Sequence, residues 1–323
     1  MYSNVAGGSS NNACGRYSNV AGGQGNNASG CYSNVAGGCG NTASGYASNV
    51  AGGQGNNASG NSSNVAGGNG NNASGCYSNV AGGRGNTASS YFSNVAGGCC
   101  NTASGRYSNV AGGCGNTASG RYSNVAGGCC NTICSLGSGA SNTSYTTIAG
   151  GICNNISSTS SGYYNSSSCT CTQSYSNTNN SAILGGNGNV IRDCNLVYNT
   201  STSSAYSTII GGSTNCINYN SPYNLIGGGC NNRVYGCYNT IVNGTNNSLS
   251  GSNNFTLGSN ISVSASNYTF VNNLSSQGVV AAANLTINKA PQTFVNPLTA
   301  SGTFLVVNVN GTNQAIQLWN YSS

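Results

Sequence analysis

Apolar positions in the first part of the chain recur with one short period. A valine followed by alanine and two glycines returns every 15 residues, at Val5, Val20, Val35, Val50, Val65, Val80, Val95, Val110 and Val125. A smaller apolar position, the alanine of Asn-(Asn/Thr)-Ala, follows in the same copy, as at Ala13 and Ala28. Between them lie Ser, Asn, Thr and Gly. An aromatic opens most copies, at Tyr2, Tyr17, Tyr32, Tyr77, Phe92, Tyr107 and Tyr122, with Ala47 and Ser62 in its place in the other two. The unit reads Tyr-Ser-Asn-Val-Ala-Gly-Gly-x-x-Asn-(Asn/Thr)-Ala-Ser-Gly-x.

A fixed period this short describes a unit that cannot bury a core alone and stacks on its neighbours. Its length and its glycines argue against a helical hairpin. Two extended runs, Tyr-Ser-Asn-Val-Ala and Asn-Thr-Ala-Ser, with Gly-Gly-x-x and Gly-x as corners, fit a coil of β structure. Each coil then lies about 4.8 Å above the last. Val5 and Ala13 point inward, and Asn4 and Asn11 start ladders of like amides. The fold class is all-β: a parallel β-solenoid or β-roll of 15-residue coils.

Beyond Thr132 the period loosens and the apolar positions grow. Ile148, Ile183, Ile209, Ile226 and Ile241 take the valine place, and Ile156, Ile191, Ile217, Val234 and Leu249 the alanine place. Two Ser/Thr/Asn/Tyr-rich insertions, 157–179 and 193–205, interrupt the spacing. Insertions in a solenoid leave as loops on one side, often the binding side, so Tyr163, Tyr164 and Tyr175 mark a candidate receptor-facing loop. From about residue 276 the period is gone. Val279-Val-Ala, Leu285-Thr-Ile, Thr303-Phe-Leu-Val-Val and Gln314-Ala-Ile-Gln-Leu-Trp read as ordinary strands, with Asn310-Gly311 as a hairpin turn. The organisation is therefore regular coils over 1–135, a degenerate β-roll over 136–275, and a small C-terminal β domain over 276–323 that caps the open edge and trimerises the chain.

Apolar filling decides the expected assembly. A buried valine contributes roughly 2 kcal/mol, whereas ordering each residue costs about 1.5 kcal/mol. A roll with one valine and small alanines per coil is too thin, and the smooth Ala-Gly-Gly edge suits close approach by another backbone. A parallel homotrimer is the simplest remedy.

Composition narrows the chemistry. Of 323 residues 51 are glycine, 2% are charged, none is His, and Asp193 is the only acid. General acid–base catalysis needs paired titratable groups and a cysteine nucleophile needs a base, so no enzyme is expected, and no cofactor. The net charge of +6 is spread along the chain and not clustered as nucleic-acid sites require. No apolar run is long enough for a membrane-spanning helix, and the repeat begins at Tyr2, which leaves no visible signal peptide. Among 17 cysteines, Cys99, Cys114 and Cys129 share one place on successive coils, at a spacing a disulfide accepts. They form a disulfide ladder or a stack of free thiols. Zinc is the rival reading, but histidine and CxxC pairs are both lacking. Asn-x-Ser/Thr sequons, such as Asn142, Asn199 and Asn267, crowd the second half and allow glycosylation on a eukaryotic secretory route.

The repeat resembles the Ser-Val-Ala-Ile-Gly…Ala-x-Gly repeat of YadA-like heads in trimeric autotransporter adhesins. The stretch from Phe270 to Trp319 is similar to the ends of virus and phage fibre proteins that carry such heads. The resemblance covers about residues 2–275 and implies a left-handed parallel β-roll, three per fibre. The repeat here has 15 residues and not 14, and the heptad stalk and membrane-barrel anchor of the autotransporters are missing. These departures favour a fibre assembled in a host cytoplasm and carried on a virion.

The expected function is a structural fibre or adhesin, a trimeric rod on a virion (tail or capsid fibre) or cell surface that attaches to a host receptor, with a glycan the favoured ligand. Its tyrosine ladder is a candidate platform for sugar rings. The alternative is a self-assembling extracellular filament or sheath without a specific ligand. Ice binding would need paired threonines on every coil, and Thr42, Thr87, Thr102, Thr117 and Thr132 stand singly.

Overall fold

The computed structural model of the chain describes residues 2–135, 144–160, 180–195, 204, 206–218, 221–271, 292–293, 303–309 and 312–317. It contains two units, Met1–Asn273 and Leu274–Ser323.

The first unit is a parallel β-solenoid. One ladder of 16 strands runs from Asn4–Val5 to Thr269–Val271, and a second of 15 strands from Asn12–Ala13 to Ser262–Val263. Pairing is parallel and one coil apart in register: Val65 lies on Val80 and Ala73 on Ala88. A third ladder of single bridges follows the Gly-Gly corner, from Ser9 through Gln24 and Cys39 to Thr245. Each extended run in the sequence therefore contributes only two residues of strand. The rest of the coil is corner.

Inside each coil the side chains alternate as the pleat demands. Ser18, Val20, Asn26 and Ala28 are buried, while Asn19 and Asn27 stand half-buried on the outer face. Val20 through Val125 and Ala28 through Ala118 have no exposure, and neither do Ile148, Ile183, Ile209, Ile226 and Ile241. Replacing Ala by Ile at the second inward place, as in Ile133 and Ile156, adds three buried carbons at about 0.8 kcal/mol each. The degenerate coils are thus better filled than the regular ones. Val5 departs from the inward expectation: it is 45% exposed, because it sits on the first coil with no rung beneath it.

The second glycine of each pair is fixed by the chain itself. At Gly68, with φ +91°, a Cβ would lie 2.1 Å from the carbonyl oxygen of Gly83 on the next coil. The first glycine is different. A Cβ on Gly82 would meet nothing within 4 Å.

The two insertions begin later than their composition suggests. The strand Asn155–Ser160 pairs residue by residue with Val190–Asn195, with Ser158 opposite Asp193. Residues 157–160 and 193–195 are therefore sheet, because each insertion gives the other a paired edge. Tyr163, Tyr164 and Tyr175 lie outside the described residues. The final coil also shortens, with Ser248 opposite Ser262 and Phe255 opposite Thr269, a step of 14 residues.

In the second unit the strands Gln292–Thr293, Thr303–Val309 and Thr312–Gln317 form an antiparallel sheet. Val309 pairs with Thr312, the register of a two-residue connection at 310 and 311. The strands expected near Val279 and Leu285, and Trp319, lie outside the described residues.

Candidate functional site

Two asparagine columns have different work. On the outer face the amides bond to one another up the stack, Asn64 Nδ2 donating to Asn79 Oδ1 and Asn79 to Asn94, both at 2.8 Å. The inner column, expected as a second like-amide ladder, binds backbone in the regular coils, and among the described residues amide–amide bonds join it only where Asn232 donates to Asn215 Oδ1 and Asn247 to Asn232 Oδ1. Asn71 Nδ2 donates to Gly67 O at 2.8 Å and Gly83 O at 2.9 Å, and its Oδ1 accepts the Asn86 N–H at 2.9 Å. Being buried, it can satisfy the polar atoms of the glycine corner that water cannot reach.

The aromatic place of every regular coil after the first lies in the left-handed region, with φ 60° at Tyr17, 57° at Tyr77 and 55° at Tyr122. Such a backbone is unusual for a bulky residue. Stacking offsets the strain: rings on successive coils lie face to face, Tyr77–Phe92 at 4.9 Å, Phe92–Tyr107 at 5.2 Å, Tyr107–Tyr122 at 4.9 Å and Tyr122–Tyr145 at 4.7 Å. Offset pairs of this kind contribute about 0.5–1.5 kcal/mol beyond area burial. Arg16, Arg106 and Arg121 lie over Tyr17, Tyr107 and Tyr122, 4.9–5.1 Å from the ring centroids, so scattered charge becomes cation–π packing.

The column comes in three runs. Ala47 and Ser62 separate Tyr2–Tyr17–Tyr32 from Tyr77–Tyr145, and Asn180 separates that run from Tyr206–Tyr223–Tyr238. Within each run the rings occupy one another's faces, so a ligand meets only ring edges there and a full face only at a run's end. Above Tyr238 the next two aromatic places hold Asn253 and Asn267, and there a cleft of about 400 Å³ opens, lined also by Thr240, Phe255, Tyr268 and Thr269.

Thiols share one corner. Cys99, Cys114 and Cys129 follow one another in the bridge ladder and carry free thiols. Cys100 and Cys130 extend the group, with Sγ–Sγ contacts of 3.4 Å in Cys99–Cys100 and Cys129–Cys130. The hydrogen bond to Cys99 and its charge push the Cys100 thiol up, and Cys130 does the same to Cys129. Burial pushes Cys216 up, against the pull of Arg192 and Arg233. Among the described residues no group of three or more His, Cys, Asp or Glu is placed to hold a metal ion, and no helix is long and apolar enough to cross a membrane.

One further feature lies beside the glycine corner. The residue after the inward valine, Ala21 or Ala66 in the regular coils, faces outward. In the degenerate coils the same place holds Leu184, Ile210 and Val242, exposed by 49%, 47% and 41%, with Ala149 and Gly227 at the same place on two other coils. This strip is visible in the sequence only as the doublets Ile-Leu, Ile-Ile and Ile-Val, whose second member the inward pattern leaves unassigned.

No protein-family model matches the chain, and no curated protein matches it.

Proposed function

We propose that the chain is a structural fibre protein: three copies packed side by side as a parallel rod, displayed on a virion or cell surface and attaching to a glycan-bearing receptor. The apolar strip carries the reading. Ala21, Leu184 and Ile210 lie on one outward line, each followed by a glycine (Gly22, Gly185 and Gly211) whose absent side chain nothing within its own chain requires, and Val242 extends the apolar line beyond them. A neighbouring chain laid along this line would bury the apolar groups and require the glycine. Exposed apolar surface arranged so regularly marks an association face, and the YadA-like resemblance of the repeat adds support. The regular ladders suit a rod, and the side chains offer no acid–base pair for turnover.

Sedimentation velocity on the full chain tests the assembly. A trimer at micromolar concentration, reduced to monomer by Leu184→Asn with Ile210→Asn, is the expected result; a wild-type monomer would sink it. Attachment is tested by retention of labelled rods on cells before and after enzymatic deglycosylation, with retention lost on treatment. A second reading, end-to-end filaments, draws on the parallel ladders, in which any coil offers the next the same backbone pairing. Electron micrographs showing indefinite polymers in place of short rods would favour it.

A further inference from the structure

We infer that the cleft at the top of the third tyrosine run is a binding site for a neutral pyranose ring. The inference rests on the attachment reading above and gives it a place and a ligand chemistry. Its floor is Tyr238, whose ring stacks on Tyr223 at 4.8 Å and would carry another ring if the column continued. Instead Asn253 and Asn267 occupy the next two places, their amides joined by a 3.1 Å bond from Asn253 Nδ2 to Asn267 Oδ1. Phe255 and Tyr268, both exposed, complete the apolar lining.

Each lining feature selects part of the ligand. An aromatic face carries negative quadrupole density that attracts the C–H face of a flat aliphatic ring. The Asn253–Asn267 pair keeps a carbonyl oxygen and an N–H free of protein bonds, and Thr240 and Thr269 add hydroxyls, so the rim both donates and accepts. That matches a ring edged with hydroxyl groups. No charged side chain lines the cleft, which argues against an anionic sugar or a phosphate. The volume of about 400 Å³ falls within the range of small-molecule sites, about 300–1,000 Å³. One local departure accompanies this cleft: the pairing step falls from 15 to 14 residues at a register shift between Ile241 and Asn243, which sets Asn253 opposite Asn267 and Phe255 opposite Thr269. Irregularities of this sort cluster beside binding sites.

The experiment uses the full chain and saturation-transfer NMR with methyl β-galactopyranoside and methyl β-glucopyranoside, and with indole as a flat ring lacking hydroxyls. The expected result is saturation of ring C–H protons on at least one pyranoside, reduced at least tenfold in Asn253→Tyr. That variant places a ring where Tyr206, Tyr223 and Tyr238 already hold one, and so covers the Tyr238 face while keeping the backbone a tyrosine adopts on those coils. Tyr238→Ala should also lose the signal. Unchanged saturation in Asn253→Tyr, or saturation of indole alone, would overturn the site. Cell retention separates the two readings: glycan-dependent retention that survives Asn253→Tyr leaves attachment standing and removes this site. If wild-type rods are not retained, attachment fails, and the pyranoside spectra then decide the site independently.

Discussion

Replacing Asn71 by alanine should open the rod locally while its neighbour Asn72 tolerates change. Asn71 is 1% exposed and makes three side-chain bonds, two donated to Gly67 O and Gly83 O and one accepted from Asn86 N–H. Gly83 O keeps the Asn69 N–H at 2.9 Å, so its loss is small. The Asn86 N–H lies on a buried residue, and leaving it unpaired costs about 1–3 kcal/mol, with about 1 kcal/mol more for each bond lost. We take roughly 3 kcal/mol for the site. In a stacked array that cost is felt by the coil and its neighbours, and is read as hydrogen exchange. At about 1.4 kcal/mol per tenfold, protection of the Asn86 amide should fall by about two orders of magnitude. The control is Asn72→Thr, a residue that Thr42 and Thr87 hold on other coils. Its side chain takes part in one long contact, accepting from Asn57 Nδ2 at 3.4 Å, and the change should stay within about 0.5 kcal/mol. Equal effects of the two variants, or unchanged Asn86 protection, would refute the assignment of the inner amide as the glycine corner's internal partner.

Three other outcomes are expected. Ile183→Ala should lower stability to denaturant by about 2–5 kcal/mol through the cavity it leaves, whereas Val65→Ile should cost about 1–3 kcal/mol because the alanine-lined coil has no space for it. Gly68→Ala should break its coil, seen as new proteolytic cleavage near that corner, since its Cβ would collide with a carbonyl. Gly82→Ala, at the first glycine of a pair, should leave exchange within the coil unchanged and weaken self-association in sedimentation. Cys216 should react with iodoacetamide more slowly than free cysteine at pH 8, because burial raises its pKa above the ordinary thiol value. The folded state then holds the proton more tightly than the unfolded one, so this contribution to stability is present below the unfolded thiol's pKa and is lost as pH rises toward the folded value. A titration of denaturant midpoints between neutral and alkaline pH reads the sign.

Much of this architecture is legible in the chain, and the exceptions have physical causes. A strict valine period specifies coil length and register at once, since a slip would turn every valine to solvent. The two asparagines of a coil look alike in sequence, yet the glycine corner between them shifts the inward phase, so Asn64 faces out and Asn71 faces in. Tyrosine is not a residue expected in the left-handed region; the available hint was that Asn180, Asn253 and Asn267, which tolerate it, share that place. The outward strip of Leu184 and Ile210 is not legible, because alternation sends the residue after an inward isoleucine outward without saying why it should be apolar. The cleft above Tyr238 depends on where the ring column stops together with a missing residue in the last coil. Neither signal alone points to it.

Near-identity of the regular coils makes the rod's length an adjustable quantity. Any coil between Tyr17 and Thr132 presents its neighbours with the same main-chain donors and acceptors, so cutting out residues 47–61 would set Tyr32's coil beneath Ser62's with the Val and Ala ladders rejoined. Each such deletion shortens the reach by about 4.8 Å, and each duplication extends it by as much. Unequal exchange between the copies would thus act as a ruler, moving whatever the far end carries in even increments while the degenerate coils stay as they are.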